Sequence, residues 1–171
     1  IAEFAWMRIE PEEGKFTFEW LDRFFDLAHR HEIAIILGTP SAAPPPWAWL
    51  NYPDIVMMDE NGIRAGTTWR RYYCPSSPNY HRLCDNVIEA MARRYGAHPA
   101  LIGWQTDNEV SGQICYCEHC QQAMRAWLKE KYGCVARLNR DLGMVFWAHE
   151  ATDWDQIVFP RRDAENNRAN P

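Results

Sequence analysis

At 171 residues, 47% of them hydrophobic, the chain is long enough to enclose one core. Its formal charge of −5 supplies no basic stripe for nucleic acid, since the Arg pairs at 70–71 and 161–162 are too short to form one. No apolar run is long enough to span a membrane, and the direct opening on apolar residues at Ile1 reads as a piece cut from a longer chain.

In chain order, 1-IAEFAW-6 reads as a strand end running into a loop, and 10-EPEEGKFTF-18 as a loop punctuated by Pro and Gly. In 19-EWLDRFFDLAHRHE-32, the residues Trp20, Leu21, Phe24, Phe25, Leu27 and Ala28 recur at a helical period with one apolar stripe. The short Ile-rich run 33-IAIILGT-39 fits a strand covered on both faces, as in a parallel sheet. A long irregular stretch, 39–78, carries Pro, Gly and aromatics; loops of that length in compact domains are usually functional or disordered, and the Trp and Tyr content argues against disorder. Residues 79–96 predict a helix with Leu83, Val87, Ile88, Met91 and Ala92 inward and Gly96 as its C-cap. A second buried strand follows at 100-ALIGWQT-106, then an amphipathic helix over 119-HCQQAMRAWLKEKYG-133. From 134 the chain is helical, then aromatic and loop-like, then polar. Alternating strands and helices with long loops after the strands predict an α/β fold with a parallel sheet. In a (β/α)8 barrel the C-terminal ends of the strands carry the active site, and the informative loops here follow Thr39 and Thr106.

Three groups of residues can carry chemistry. Asn108-Glu109 puts a carboxyl at the end of an apolar strand, where partial desolvation tunes it toward general-acid work. The amide of Asn108 cannot titrate, so it can hold a sugar hydroxyl throughout a reaction. Equally, Glu109 can be a loop carboxylate capping a helix. Next, Cys115, Cys117 and Cys120 can offer three thiolates to one tetrahedral ion. Cys74, in a loop at the same end of the sheet, is the best fourth ligand, with His119 an awkward alternative. Four thiolates suit a closed, structural zinc site; one disulfide with spare thiols is the competing reading. Cys84 and Cys134 fall inside helical patterns and read as core thiols. Finally, Trp69, Arg70, Arg71, Tyr72 and Tyr73 load the long loop with donors and aromatic faces. Trp147 can stack on a sugar or simply fill the core.

The strings 1-IAEFAWMRIEPEEGKFTFEWLD-22, 37-LGTPSAAPPPW-47, 72-YYCPSSP-78, 102-IGWQTDNE-109 and 145-VFWAHEATDWDQI-157 resemble the family 42 glycoside hydrolases, bacterial β-galactosidases, along nearly the whole chain. The resemblance implies a catalytic (β/α)8 barrel of which 1–171 is the N-terminal half, truncated at both ends and holding roughly strands 2 to 4 with their helices. It implies retaining hydrolysis of terminal β-D-galactosides, with Glu109 as acid/base and Asn108, Arg70 and Trp147 touching substrate. It implies a structural Zn2+ on Cys74, Cys115, Cys117 and Cys120 that clips a loop, and a parent protein that forms homo-oligomers, often trimers. The nucleophile of the family, a second Glu on the seventh strand, would lie beyond Pro171, so the fragment alone is expected to be inactive. Zinc on free thiols fits a cytoplasmic location. Two rival readings stand beside this one: another retaining glycosidase of the same clan, or a zinc-stabilised module that binds carbohydrate without cleaving it.

Overall fold

A computed structural model describes residues 1–110 and 114–160. They fall into two units, the first Ile1–Met57 with Arg64–Ile114, the second Met58–Ile63 with the chain from Cys115 onward. The polar tail expected from 161, with its Arg pair, lies outside the described residues.

The first unit begins not with a strand but with a turn and one helical turn, α1 (Trp6–Ile9). Strand character survives only as backbone pairing: the Ile1 amine donates to Ile36 O at 2.9 Å and Gly38 N to Ile1 O at 2.7 Å. This passage needs glycine at 38, because a Cβ there would meet Glu3 Cβ at 2.7 Å. Glu10 follows α1 and is buried, 2% exposed. Its carboxylate accepts from Trp6 Nε1 (2.8 Å) and Gly14 N (2.7 Å), while Trp47 Nε1 donates to its carbonyl (2.9 Å). The first two bonds pair the carboxyl oxygens that burial would otherwise leave unsatisfied.

Helix α2 (Glu19–Arg30) carries Glu19 and Asp22 in its first turn and His29 and Arg30 in its last, each complementing the helix dipole. Its buried stripe is narrower than the sequence period suggests. Leu21, Phe25 and Ala28 go inward, whereas Phe24 and Leu27 remain 41% and 48% exposed. Strand β1 (Ile35–Gly38) follows. The stretch predicted as irregular is largely ordered: 3-10 turns at Pro40–Ala42 and Pro53–Ile55 flank α3 (Pro46–Asn51), each with proline in its first turn. Helix α4 (Pro78–Tyr95) is capped by Ser77, whose hydroxyl accepts from Tyr80 N at 3.1 Å. Its core face is Tyr80, Leu83, Cys84, Val87, Met91 and Tyr95, steps of three and four that span the element. Gly96 ends the helix at φ −57, right-handed rather than in the left-handed cap that glycine commonly provides. Strand β2 (Leu101–Gln105) then pairs parallel to β1, with Leu37 opposite Trp104 and Gly38 opposite Gln105. Leu37 is fully buried in a core built from α1, α2, α4 and β1.

The second unit is built on α5 (Glu118–Tyr132) and α6 (Val135–Asp141). Gly133 closes α5 at φ 75, a left-handed cap that favours glycine. Leu128, Leu138, Ala151 and Ile157 form a small core. Asn139 brackets Ala151, donating to its carbonyl (2.7 Å) and accepting from its amide (3.0 Å). Cys134 is exposed at the start of α6, correcting its reading as a core thiol. Cys84 is buried as expected, and burial pushes its thiol up to about 12. Among the described residues no helix is long and apolar enough to cross a membrane.

Candidate active site

Because β1 and β2 run parallel with Gly38 opposite Gln105, the chain leaves both strands at the same end. Thr39–Ser41 emerges from one strand and Thr106–Glu109 from the other. The exit from β2 is bent: Asp107 and Glu109 take left-handed backbone, φ 59 and 47. Asp tolerates that region through local hydrogen bonds, but Glu does not gain them, and such strain costs on the order of 1–3 kcal/mol per residue. It persists only where neighbours over-determine the turn.

The long loop is stitched to this end by its backbone. Arg71 N donates to Ala42 O (2.7 Å), Met57 N to Tyr72 O (2.8 Å) and Cys74 N to Ile55 O (2.7 Å), with Val56 and Tyr73 in an antiparallel bridge. Arg70 is thereby held beside the β2 exit, where its Nη2 donates to Glu109 Oε2 at 2.7 Å. The Arg70 guanidinium also lies over the Phe4 ring, 5.7 Å from its centroid. Arg71 Nη1 donates to the Glu109 carbonyl. An open cavity of about 450 Å³ sits against Arg70, lined further by Phe4, Ala43, Thr68 and Trp69.

Three residues singled out in the sequence thus come together: Arg70, Asn108 and Glu109. The Glu109 carboxyl, expected to be partly desolvated, is 66% exposed at its side chain. Asn108 is partly buried. Its Oδ1 lies 3.5 Å from the donating Gln105 Nε2, and its own Nδ2 is buried with no acceptor among the described residues. Of the loop aromatics, Trp69 is exposed, whereas Tyr72 is 4% exposed and donates to Pro44 O from inside the core. Burial lifts the Tyr72 phenol to about 12, so it stays neutral. Trp147 belongs to the second unit, in the 3-10 turn Phe146–Ala148; it is 78% exposed, with left-handed backbone at φ 62. Exposure rules out the core-filling role for Trp147 in this chain.

The sequence reading passed over Asp107. Its Oδ2 accepts from Tyr73 Oη (2.6 Å) and Ser41 Oγ (3.2 Å), its Oδ1 from Asn108 N (2.5 Å), and its amide donates to Thr39 Oγ1 (2.8 Å). The only signal in the sequence is an acidic residue at the end of an apolar run, and Glu109 offers the same signal.

Cys74, Cys115, Cys117 and Cys120 are all buried, and their Sγ atoms lie within 4.8 Å of one another. A tetrahedral ion with metal–sulfur bonds of about 2.3 Å needs sulfurs about 3.8 Å apart, so this donor set can hold a metal. Cys117 caps α5 and Cys120 lies in its first turn. Met58 N donates to Cys115 Sγ at 3.4 Å, the kind of hydrogen bond that supports a ligating sulfur. His119 is not one of the four.

The two parallel strands thus bring the side chains of Glu109, Asn108 and Arg70 to one end of an α/β unit. The chain belongs to glycosyl hydrolase family 42, the β-galactosidase family, whose model matches residues 1–170. It is 38% identical over 160 residues to β-galactosidase BgaA of Clostridium cellulovorans, covering 94% of this chain and 24% of that protein. It is 40% identical over 161 residues to β-galactosidase BgaB of Geobacillus kaustophilus, with 93% and 24% covered. Among solved structures it is similar to a catalytic mutant of Gan42B, a GH42 β-galactosidase from G. stearothermophilus, with 40% identity, TM-score 0.90 and coverage of 94% and 23%. The cold-adapted β-galactosidase from Rahnella sp. R3 is similar too, with 37% identity, TM-score 0.92 and coverage of 97% and 24%. The chain therefore spans about a quarter of the length of the relatives it matches.

Proposed function

We propose that the protein to which this chain belongs is a retaining β-galactosidase, and that residues 1–171 are part of a (β/α)8 catalytic domain. The observation that carries the reading is Glu109 at the C-terminal end of a parallel strand, in contact with Arg70 and next to Asn108. In a double displacement, Glu109 gives its proton to the glycosidic oxygen while a carboxylate outside this chain attacks the anomeric carbon. Glu109, now ionised, then takes a proton from the water that releases galactose. Asn108 and Arg70 hold galactose hydroxyls, and Trp147 supplies a face for the C–H side of the sugar. Arg70 Nη2 pairs with Glu109 Oε2 at 2.7 Å.

Cys74, Cys115, Cys117 and Cys120 would hold a structural Zn2+, closed to water by its four thiolates. The ion supplies folding energy and takes no part in hydrolysis. Thiolate ligands persist in a reducing compartment, which supports a cytoplasmic location.

The test is made on the complete protein, with aryl β-galactosides that differ in leaving group. Glu109→Gln should nearly abolish cleavage of phenyl β-galactoside, which needs a proton, and largely spare formation of the galactosyl-enzyme from the dinitrophenyl compound. Near-normal rates on both substrates would remove Glu109 from the mechanism. No cleavage by a folded wild-type protein would favour a module that binds sugar without hydrolysing it.

A further inference from the structure

The proton donor sits on a turn that its own backbone does not favour, and one side chain gathers the bonds that hold that turn. We propose that Asp107 is a positioning residue for Glu109, its carboxylate tying the β2 exit to β1 and to the long loop. The inference rests on the assignment of Glu109 as acid/base.

Every polar atom of Asp107 is committed. Oδ2 accepts from Tyr73 in the long loop and from Ser41 just beyond β1. Oδ1 accepts from the amide of Asn108, closing the turn on itself. The Asp107 amide donates to Thr39 Oγ1, and its carbonyl accepts from Gln105 Nε2 at 3.1 Å. The surrounding groups are fixed in turn. Thr39 and Ser41 are buried, with their hydroxyl oxygens 3.2 Å apart. The Tyr73 ring stacks on Tyr80 of α4, centroids 4.3 Å apart and planes 5° from parallel, and Tyr80 Oη donates to Ser41 O at 3.1 Å. A rigid framework on β1 and α4 therefore grips one carboxylate, and that carboxylate sets the left-handed step at φ 59 from which Asn108 and Glu109 continue.

The chemistry demands a carboxylate. Two acceptor oxygens, one toward Tyr73 and Ser41 and one toward the Asn108 amide, satisfy donors on both sides. A carboxamide has one acceptor oxygen: kept toward the Asn108 amide it leaves Nδ2 facing the Tyr73 and Ser41 hydroxyls, which must turn from donors into acceptors, and flipped it sets an N–H against the Asn108 N–H. Asp107 reaches no substrate atom in this role. It acts through the direction in which Glu109 points, and misplacing a catalytic group by about 1 Å costs roughly 100-fold.

The experiment compares wild type, Glu109→Gln, Asp107→Asn and Tyr73→Phe in the complete enzyme, on phenyl and dinitrophenyl β-galactosides. For Asp107→Asn, kcat on the phenyl substrate should fall by roughly 10- to 100-fold, with KM within about 3-fold and the dinitrophenyl rate within about 3-fold of wild type. Tyr73→Phe should shift the same ratio in the same direction by less. A merely structural role would lower both substrates together. Equal losses on the two substrates, or a wild-type ratio in both variants, would overturn the proposal while leaving Glu109 in place. If Asp107→Asn does not fold, an unchanged ratio in Tyr73→Phe overturns it alone. A Glu109→Gln variant that still cleaves the phenyl substrate normally would instead overturn the acid/base assignment, and this inference with it.

Discussion

Two carboxylates of this chain show how environment decides the behaviour of one functional group. Glu10 is buried, and desolvation raises its carboxyl above the usual range, with the Gly14 amide and Trp6 indole pulling the other way. Asp22 sits beside Arg94, whose Nε and Nη2 both donate to it, and this pairing lowers its carboxyl below the usual range, helped by the Tyr95 hydroxyl. A lowered carboxyl stabilises the fold above its unfolded value, about 3.9, and loses that contribution as pH falls through the folded value. Comparing the urea midpoint of wild type with that of Asp22→Asn in the complete protein, from about pH 7 down to 2.5, checks this. The wild type should be the more stable at neutral pH, and the difference should shrink below about pH 4. A gap that stays constant with pH would show that shape, not charge, holds this pair. Because both side chains are partly exposed, the gap at neutral pH should be small.

Among the elements, α5 depends most on chemistry that its own sequence does not contain. Its N-cap is Cys117, and Cys120 lies in its first turn. If Zn2+ holds Cys117 and Cys120 as proposed, the ion does the work of a cap, and its removal should release the first turn of α5. The expected result is one zinc per chain by elemental analysis, and a lower thermal midpoint after chelation that returns when zinc is restored. Hydrogen exchange should show the loss of protection concentrated in the first turn of α5. Protein without bound metal and with an unchanged midpoint in chelator would overturn the metal assignment. The other elements were more plainly written. In α2 and α4 the periodic apolar residues, the acidic first turn of one and the Ser77-Pro78 start of the other give both helices within a residue or two. The loop between β1 and α4 was not legible as structure. Its order comes from contacts such as Arg71 N to Ala42 O and Cys74 N to Ile55 O, which join residues far apart in sequence.

At the scale of the molecule, a parallel pair of strands is the least self-sufficient part of the chain. Ile36 on β1 and Ile102 on β2 remain 53% and 68% exposed, and the far edge of β2 has no strand partner among the described residues. Two-stranded sheets are marginal alone, and open apolar edges invite pairing with other chains. The isolated 171-residue chain should therefore be poorly soluble and self-associating, and inactive on β-galactosides. Sedimentation at several concentrations checks this; a soluble monomer with one cooperative unfolding transition would contradict it. The proposed barrel accounts for the same exposure, since further strands would cover that edge.

Sequence alone determined α2, α4 and α5, the two strands, their parallel pairing and the family, because apolar periodicity and motif strings are local or cumulative along the chain. It also picked out Glu109 and the four cysteines, whose side chains advertise their chemistry wherever they fall. Only the tertiary structure decided that Glu109 is exposed and paired with Arg70, that Tyr72 is core, and that Asp107 ties the β1 and β2 exits together. Those facts depend on backbone dihedrals and on hydrogen bonds between residues 34 to 68 positions apart. No pattern within a single stretch of sequence encodes them.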